Sequence, residues 1–182
     1  MVNAGHGWET GTANPFPLPW GREKHLALAF NRGQNQVTTD KLEWLQRQGW
    51  IAQVVGSQII LAPLVFLTPP AVCFHTTPVE NVLGILKKDL VTGFEAGKST
   101  STRKACANYI YVSFDLASAR KWAQRQLLGK TNPDQDWGII RIDSLGLGRV
   151  FRDPESSTGF MLEDKRVAKG FLRLETTFRP DR

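Results

Sequence analysis

The sequence predicts an α+β protein in which short strands surround two helices. Short apolar runs with the length of strands occur at residues 71–75, 109–114 and 137–142. Apolar residues recur near helical spacing over residues 79–88 and 116–128. Later strands are predicted at residues 148–151, 158–162 and 170–177. Short strands with two helices inserted early are typical of an α+β arrangement.

The helix predicted over residues 79–88 has the clearest sequence signals. Its apolar positions are Val79, Val82, Leu83, Ile85 and Leu86. An acidic residue stands in its first turn and two lysines in its last, as the helix dipole favours.

A small N-terminal lobe is predicted ahead of this domain. Residues 1–20 are rich in Gly, Asn and Pro and predict an irregular segment. Residues 21–31 predict a short helix, and a second helix follows the capping residues at 38–40. Two apolar runs around Gly56-Ser57 predict a hairpin, and helix, helix, hairpin is the order of a winged helix. Prolines then suggest a boundary, so we expect a lobe over 21–66 and a main domain over 67–182.

Composition narrows the class of protein and of partner. The chain has 182 residues and a net charge of +6, which favours an anionic partner such as nucleic acid, a phosphorylated cofactor or an acidic protein. No apolar run approaches the length of a membrane span, and the N-terminus lacks the pattern of a secretory signal. The two cysteines predict neither a disulfide framework nor a metal site. These features predict a cytoplasmic protein with no membrane partner and no metal.

Two strand-to-helix junctions contain the residues with most chemical potential. His75 ends the first strand and is followed by Thr76, Thr77 and a helix. Tyr111 lies inside the next strand, and Ser118 lies on the helix after it. A single His at a strand end is more often structural than catalytic, so the inference depends on the order and setting of the whole set.

This set resembles the ADP-ribosyltransferase fold, in the branch with poly-ADP-ribose polymerases and diphtheria-type and DNA-modifying toxins. The similar segments are His75-Thr76-Thr77, Asn81 to Leu86 with Leu90, Ile110-Tyr111-Val112-Ser113 and Ser118-Ala119. The resemblance covers roughly residues 68–180. It implies a core with a split β-sheet. It also implies transfer of ADP-ribose from NAD to a protein or nucleic acid, with release of nicotinamide.

The resemblance implies a role for each pocket residue. His75 would donate a hydrogen bond to a ribose hydroxyl, and Thr76 would hold the nicotinamide carboxamide through its backbone. Tyr111 would stack on the nicotinamide ring, with Tyr109 as the alternative ring. Hydroxyl groups complete the implied cofactor pocket at Thr77, Ser113 and Ser118.

The late glutamate of this family has no clear counterpart in the chain. The simplest alignment puts Phe160 in its place and leaves Glu163 three residues later. Glu163 is the candidate catalytic acid, Glu155 is the second candidate, and a surface turn is an equal explanation for Glu163. The acceptor chemistry therefore stays open.

Two other functions remain open at this point. RNA 2′-phosphotransferases also use NAD and do not need that glutamate, although their Arg-His pair in the N-terminal lobe is missing here. Basic residues that could hold the acceptor or its phosphate are Arg103, Lys104, Arg149 and Arg152. The other reading is a non-catalytic module that binds protein or nucleic acid, for which six tryptophans offer stacking surfaces.

Overall fold

A computed structural model describes residues 8–10, 28–31, 39–55, 58–97, 109–127, 135–154 and 156–180. The chain divides into two compact units. One unit contains the described residues up to Phe66, residues 93–97 and Tyr109. The other contains Leu67–Thr92 and the described residues from Ile110 onward.

The first unit contains an antiparallel four-stranded sheet and a helix. Its elements are β1 (Trp8–Thr10), β2 (Leu28–Asn31), α1 (Thr39–Arg47), β3 (Trp50–Val55) and β4 (Gln58–Pro63). The strand order is β1-β2-β4-β3, and β3 and β4 form the hairpin expected from the sequence. Gly49 ends the α1 segment with a φ of 81°, a conformation that glycine adopts without steric cost.

The helix expected over residues 21–31 is wrong where the structure describes it. Leu28–Asn31 is a strand, paired with β4 from Leu28↔Leu61 to Asn31↔Gln58. Leu28 and Phe30 also fit a period of two, and a short apolar run does not separate helix from strand. Its pairing with β4 makes this segment a strand. The winged-helix order of helix, helix and hairpin is therefore not found in the described part of this unit.

The second unit is an α+β domain built on a six-stranded antiparallel sheet. Its elements are β5 (Val72–Pro78), α2 (Val79–Lys87), β6 (Asp89–Val91), β7 (Ile110–Ser113), α3 (Leu116–Leu127), β8 (Trp137–Asp143), β9 (Val150–Arg152), β10 (Gly159–Leu162), β11 (Arg166–Ala168) and β12 (Leu172–Phe178). The sheet order is β12-β8-β5-β7-β10-β9. The predicted α+β class is confirmed. The small β6–β11 pair was not expected from the sequence.

The two helices pack on opposite faces of this sheet. Val82 of α2 lies against Gly138, which is paired with Thr77, so we call this side the α2 face. Thr76 of the same strand donates a hydrogen bond to the Ala119 carbonyl of α3, which defines the α3 face. The core cluster on the α2 face is fully apolar and includes Cys73, Val112, Ile140, Ile142, Phe160 and Leu172.

The ladder between β5 and β7 is much shorter than the others. These strands share one residue pair, Phe74↔Ser113, whereas β5 and β8 are paired at every position from Val72 to Pro78. We call the line between β5 and β7 the seam. It separates a half-sheet of β12, β8 and β5 from one of β7, β10 and β9.

Candidate functional site

The imidazole of His75 bridges the seam. Its Nδ1 lies 2.9 Å from the carbonyl oxygen of Tyr111, on the neighbouring strand β7. A carbonyl only accepts, so Nδ1 is the protonated nitrogen and donates this bond. The second ring nitrogen, Nε2, is then an acceptor whenever the imidazole is neutral.

Burial keeps the His75 ring neutral. Desolvation lowers the pKa of His75 below the usual value for histidine, and the hydrogen bond to the Tyr111 carbonyl offsets part of this effect. Near neutral pH the ring therefore presents an acceptor at Nε2 rather than a donor. The role expected for His75 at a ribose hydroxyl stays a prediction, and a neutral ring would accept that hydrogen bond at Nε2.

His75 and Tyr111 are brought together through the backbone, but their side chains leave the sheet on opposite sides. Phe74 pairs with Ser113, so strand alternation puts Phe74, Ser113 and Tyr111 on the α3 face. His75 follows Phe74 and lies on the α2 face. The half-buried Tyr111 ring and the imidazole thus flank the seam from its two sides.

The two threonines after His75 are committed to structural hydrogen bonds. Thr76 is buried, and its hydroxyl donates to the Ala119 carbonyl at 3.0 Å. Thr77 is buried too, and its hydroxyl oxygen accepts from Asn81 Nδ2 at 3.3 Å. The first bond ties β5 to α3 and the second ties β5 to α2. These side chains therefore fix the strand that presents His75.

Ser118 belongs to the N-terminal cap of α3. Asp115 precedes the helix, and its carboxylate accepts the Ser118 backbone N–H at 2.7 Å and the Ser118 hydroxyl at 2.8 Å. These bonds lower the pKa of Asp115. The cap holds the first turn of α3 next to the end of β7. The role expected for Ser118 at the carboxamide stays a prediction.

The other expected cofactor residues, Tyr109 and Ser113, are both buried. Tyr109 immediately precedes β7 and is 3% exposed. Ser113 is 6% exposed and stands at the single residue pair of the seam. Of the two tyrosines, Tyr111 is the more accessible to a ligand.

Phe160 and His75 belong to one row of side chains, which runs across adjacent strands of the sheet on the α2 face. Phe160 pairs with Val112 of β7, which lies opposite His75 in register, and with Arg152 of β9. Its ring stacks on Phe114 with centroids 3.7 Å apart and an interplanar angle of 4°. The Arg152 guanidinium lies 5.3 Å from the Phe160 ring centroid, within the range of a cation–π contact. This row thus holds aromatic rings and a cation where the resemblance implies a carboxylate.

Glu163 lies beyond the end of β10, held by an arginine. Its two carboxylate oxygens accept from Arg149 Nε and Nη2, each at 2.9 Å, and its backbone N–H donates to the Arg149 carbonyl. It stands three positions after Phe160, roughly 10 Å along an extended chain. The structure therefore pairs Glu163 with Arg149 rather than with His75.

The basic residues expected at the acceptor are only partly described. Arg152 donates to the Ser157 carbonyl at 3.3 Å in addition to its contact with Phe160. Arg103, Lys104 and the alternative acid Glu155 lie outside the described residues.

Sequence reasoning missed three polar residues of interest. Asp153 is 5% exposed, and one of its carboxylate oxygens lies 3.2 Å from where a Cβ would stand on Gly159. Arg141 and Arg173 face each other on β8 and β12, and both are exposed. Nothing in the local sequence marks these positions, because their proximity is created by strand pairing.

Comparison with known proteins leaves the chain without an assigned family. No protein-family model matches it, and no curated protein matches it. Among the described residues, none of the helices has the length and apolar character needed to cross a membrane. Within the same residues, no three His, Cys, Asp or Glu side chains are grouped as metal ligands.

Proposed function

We propose that this protein cleaves NAD, releasing nicotinamide and transferring ADP-ribose to a macromolecular acceptor. The observation that carries the proposal is the hydrogen bond from His75 Nδ1 to the Tyr111 carbonyl across the seam. It joins the two residues that the sequence resemblance selects, at the line where two described strands share a single residue pair.

The chemistry requires the ribose of NAD to be held while its bond to nicotinamide breaks. That bond breaks through an oxocarbenium-like centre, as in glycoside cleavage. Neutral His75 would accept a hydrogen bond from a ribose hydroxyl through Nε2, which fixes the sugar and adds no positive charge beside the developing cation. Tyr111 would act through its backbone carbonyl, which accepts from His75 Nδ1 and orients the imidazole, because the Tyr111 side chain lies on the α3 face.

A second candidate is NAD-dependent RNA 2′-phosphotransfer, and Phe160 is the observation that favours it. The row of His75 contains Phe160 and Arg152 in place of an acid, and Glu163 is engaged by Arg149. A terminal RNA 2′-phosphate is itself a nucleophile and needs no activating carboxylate. It would attack the ribose carbon as nicotinamide leaves, and the neighbouring ribose hydroxyl would then attack phosphorus, freeing the RNA 2′-hydroxyl and forming a cyclic ADP-ribose phosphate.

The shared first step is tested by release of nicotinamide from NAD labelled in that ring. Full-length protein is incubated with labelled NAD and, in separate reactions, with protein, single-stranded DNA, RNA or 2′-phosphorylated RNA. We expect release with at least one acceptor and at least a hundredfold loss for His75→Ala. No release with any acceptor would refute both enzymatic candidates.

The product separates the two reactions, and Glu163→Gln tests whether that acid takes part in either of them. Glu163→Gln should change the rate less than threefold, because its carboxylate is paired with Arg149. Lys88→Ala, on the exposed end of α2, is the control for an unrelated surface change. A cyclic ADP-ribose phosphate from 2′-phosphorylated RNA identifies the phosphotransferase. ADP-ribose attached covalently to an acceptor identifies the transferase.

A further inference from the structure

A row of three side chains crosses the α3 face from the sheet edge to the seam. Arg173 of β12 pairs with Arg141 of β8, and Arg141 pairs with Phe74 of β5. Directly paired residues of antiparallel strands project to the same face, so all three side chains lie side by side. We call these three residues the arginine row.

The arginine row is solvent-accessible. Arg141 and Arg173 are exposed and Phe74 is half-buried. Their sequence neighbours Ile142, Leu172 and Cys73 point to the opposite face, where they belong to the apolar core. The exposure of the row is thus fixed by strand alternation rather than by the choice of a surface rotamer.

The two guanidinium groups are unpaired within the described part of the chain. Neither makes an ion pair or hydrogen bond to another described residue, whereas Arg149, Arg166 and Arg179 are each paired with a carboxylate. Asp143, on the same face, instead accepts the Leu145 N–H in its own turn at 3.4 Å. Like charges directly opposite each other on neighbouring strands destabilise a sheet. This arrangement costs stability and offers two adjacent cations to an anion.

We propose that the arginine row binds single-stranded nucleic acid. Paired arginines suit backbone phosphates, which they contact with several N–H donors, and an adjacent aromatic ring suits an unstacked base. An acidic protein surface would pair with the two guanidinium groups, but it would not stack on the Phe74 ring. The net charge of +6 adds long-range attraction for a polyanion.

The row ends at the seam, on the face opposite the His75 imidazole. Phe74 pairs with Ser113 at the seam, and Tyr111 lies two residues along β7 on the same face. A strand held on the row would therefore reach the side of the seam that carries Tyr111. Strand binding on the row therefore does not depend on NAD chemistry, and it goes beyond the proposed function.

The test is equilibrium binding of a fluorescent 12-nucleotide single strand to the full-length protein, without NAD, over a series of salt concentrations. Arg141→Ala/Arg173→Ala should weaken binding at least tenfold. The same variant should lower the slope of log affinity against log salt by about 1.4, because each arginine that no longer neutralises a phosphate lowers it by about 0.7. Phe74→Leu keeps an apolar side chain and should weaken binding about tenfold, because leucine cannot stack on a base.

The matched control is Arg166→Ala/Arg179→Ala, which removes the same charge from two exposed arginines already paired with Asp89 and Asp136. It should weaken binding less than threefold. Equal losses in the two double variants would overturn the proposal, since only net charge would then matter. So would competition by polyglutamate as strong as that of the unlabelled strand. Thermal unfolding of each variant distinguishes a defect in binding from a defect in folding.

Nicotinamide release is measured in parallel so that the two proposals fail separately. Strand binding that depends on the row, without nicotinamide release, would retain the row and refute the NAD chemistry. Nicotinamide release without strand binding would support the NAD chemistry and refute the row as a binding site.

Discussion

The environment of His75 sets both its charge and its stability effect. Burial disfavours the imidazolium, while the Nδ1 bond to the Tyr111 carbonyl favours it, and burial is the larger effect. The pKa of His75 in the folded protein is therefore below the value of about 6.5 found in unfolded chains. The unfolded state takes up a proton more readily than the folded state between these two values.

We predict that the free energy of unfolding decreases as pH falls below about 6.5 and that His75 is responsible for part of the decrease. The contribution of neutral His75 to the free energy of unfolding is fully present above about pH 6.5. It is lost as the pH falls toward the pKa of His75 in the folded protein, and the loss is complete below that pKa. Urea unfolding between pH 8 and pH 5 measures it. His75→Gln should show a shallower dependence over this window. An unchanged slope would contradict the assignment.

At the scale of secondary structure, α3 depends on one carboxylate for its first turn. Asp115 accepts both the backbone N–H and the hydroxyl of Ser118. Asp115→Ala should lower the free energy of unfolding by about 1 kcal/mol, as expected when an N-cap is removed. Asp115→Asn is the control and should lose only a few tenths, because asparagine also caps helices. Equal losses in the two variants would argue against capping.

Substitution by alanine is predicted to have opposite effects on stability at two glycines. A Cβ on Gly138 would collide with Val82 Cγ2, at the contact between β8 and α2. Gly138→Ala should therefore destabilise the protein by about 1–3 kcal/mol. A Cβ on Gly84, within α2, would meet nothing within 4 Å. Gly84→Ala should stabilise it by about 0.5–1 kcal/mol. Denaturant unfolding of both variants checks the pair.

Strong local periodicity made α2 and α3 predictable, and their observed ends differ from the expected ones by a single residue each. Leu28–Asn31 was mistaken for a helix because four apolar-rich residues fit either period. The three-residue strands β6 and β11 are formed by pairing across a long sequence separation, which leaves no local signal.

The candidate site was predictable as a set of residues but not as a geometry. His75 and Tyr111 lie on adjacent strands, as a shared site requires. Their opposite faces follow from the pair Phe74↔Ser113, and a register of this kind cannot be derived from one sequence. The pairing of Glu163 with Arg149 and the juxtaposition of Arg141 with Arg173 are also products of register.

At the scale of the whole second unit, Cys73 reports on the integrity of the core. It is fully buried on the α2 face, and burial raises the pKa of its thiol, with a smaller opposing effect from a hydrogen bond with Ser144. A buried, protonated thiol reacts slowly with alkylating reagents. The reaction therefore requires opening of the six-stranded sheet.

In a Cys106→Ser background, we predict that labelling of Cys73 by iodoacetamide is at least a thousandfold slower in buffer than in 8 M urea. The rate should increase in proportion to the fraction unfolded as urea is raised, since opening limits access. Mass spectrometry of quenched samples measures it. Rapid labelling of the native protein would show that the core is not closed as described.

The seam makes the six-stranded sheet mechanically uneven. Seven residue pairs join β5 to β8, whereas one residue pair and the His75 imidazole join β5 to β7. A load applied across the strands would part the sheet at the seam before any other line, leaving two three-stranded halves intact. The imidazole thus cross-links the two half-sheets through its hydrogen bond to Tyr111. Protonation or ligand binding at Nε2 would change the mechanical strength of this link.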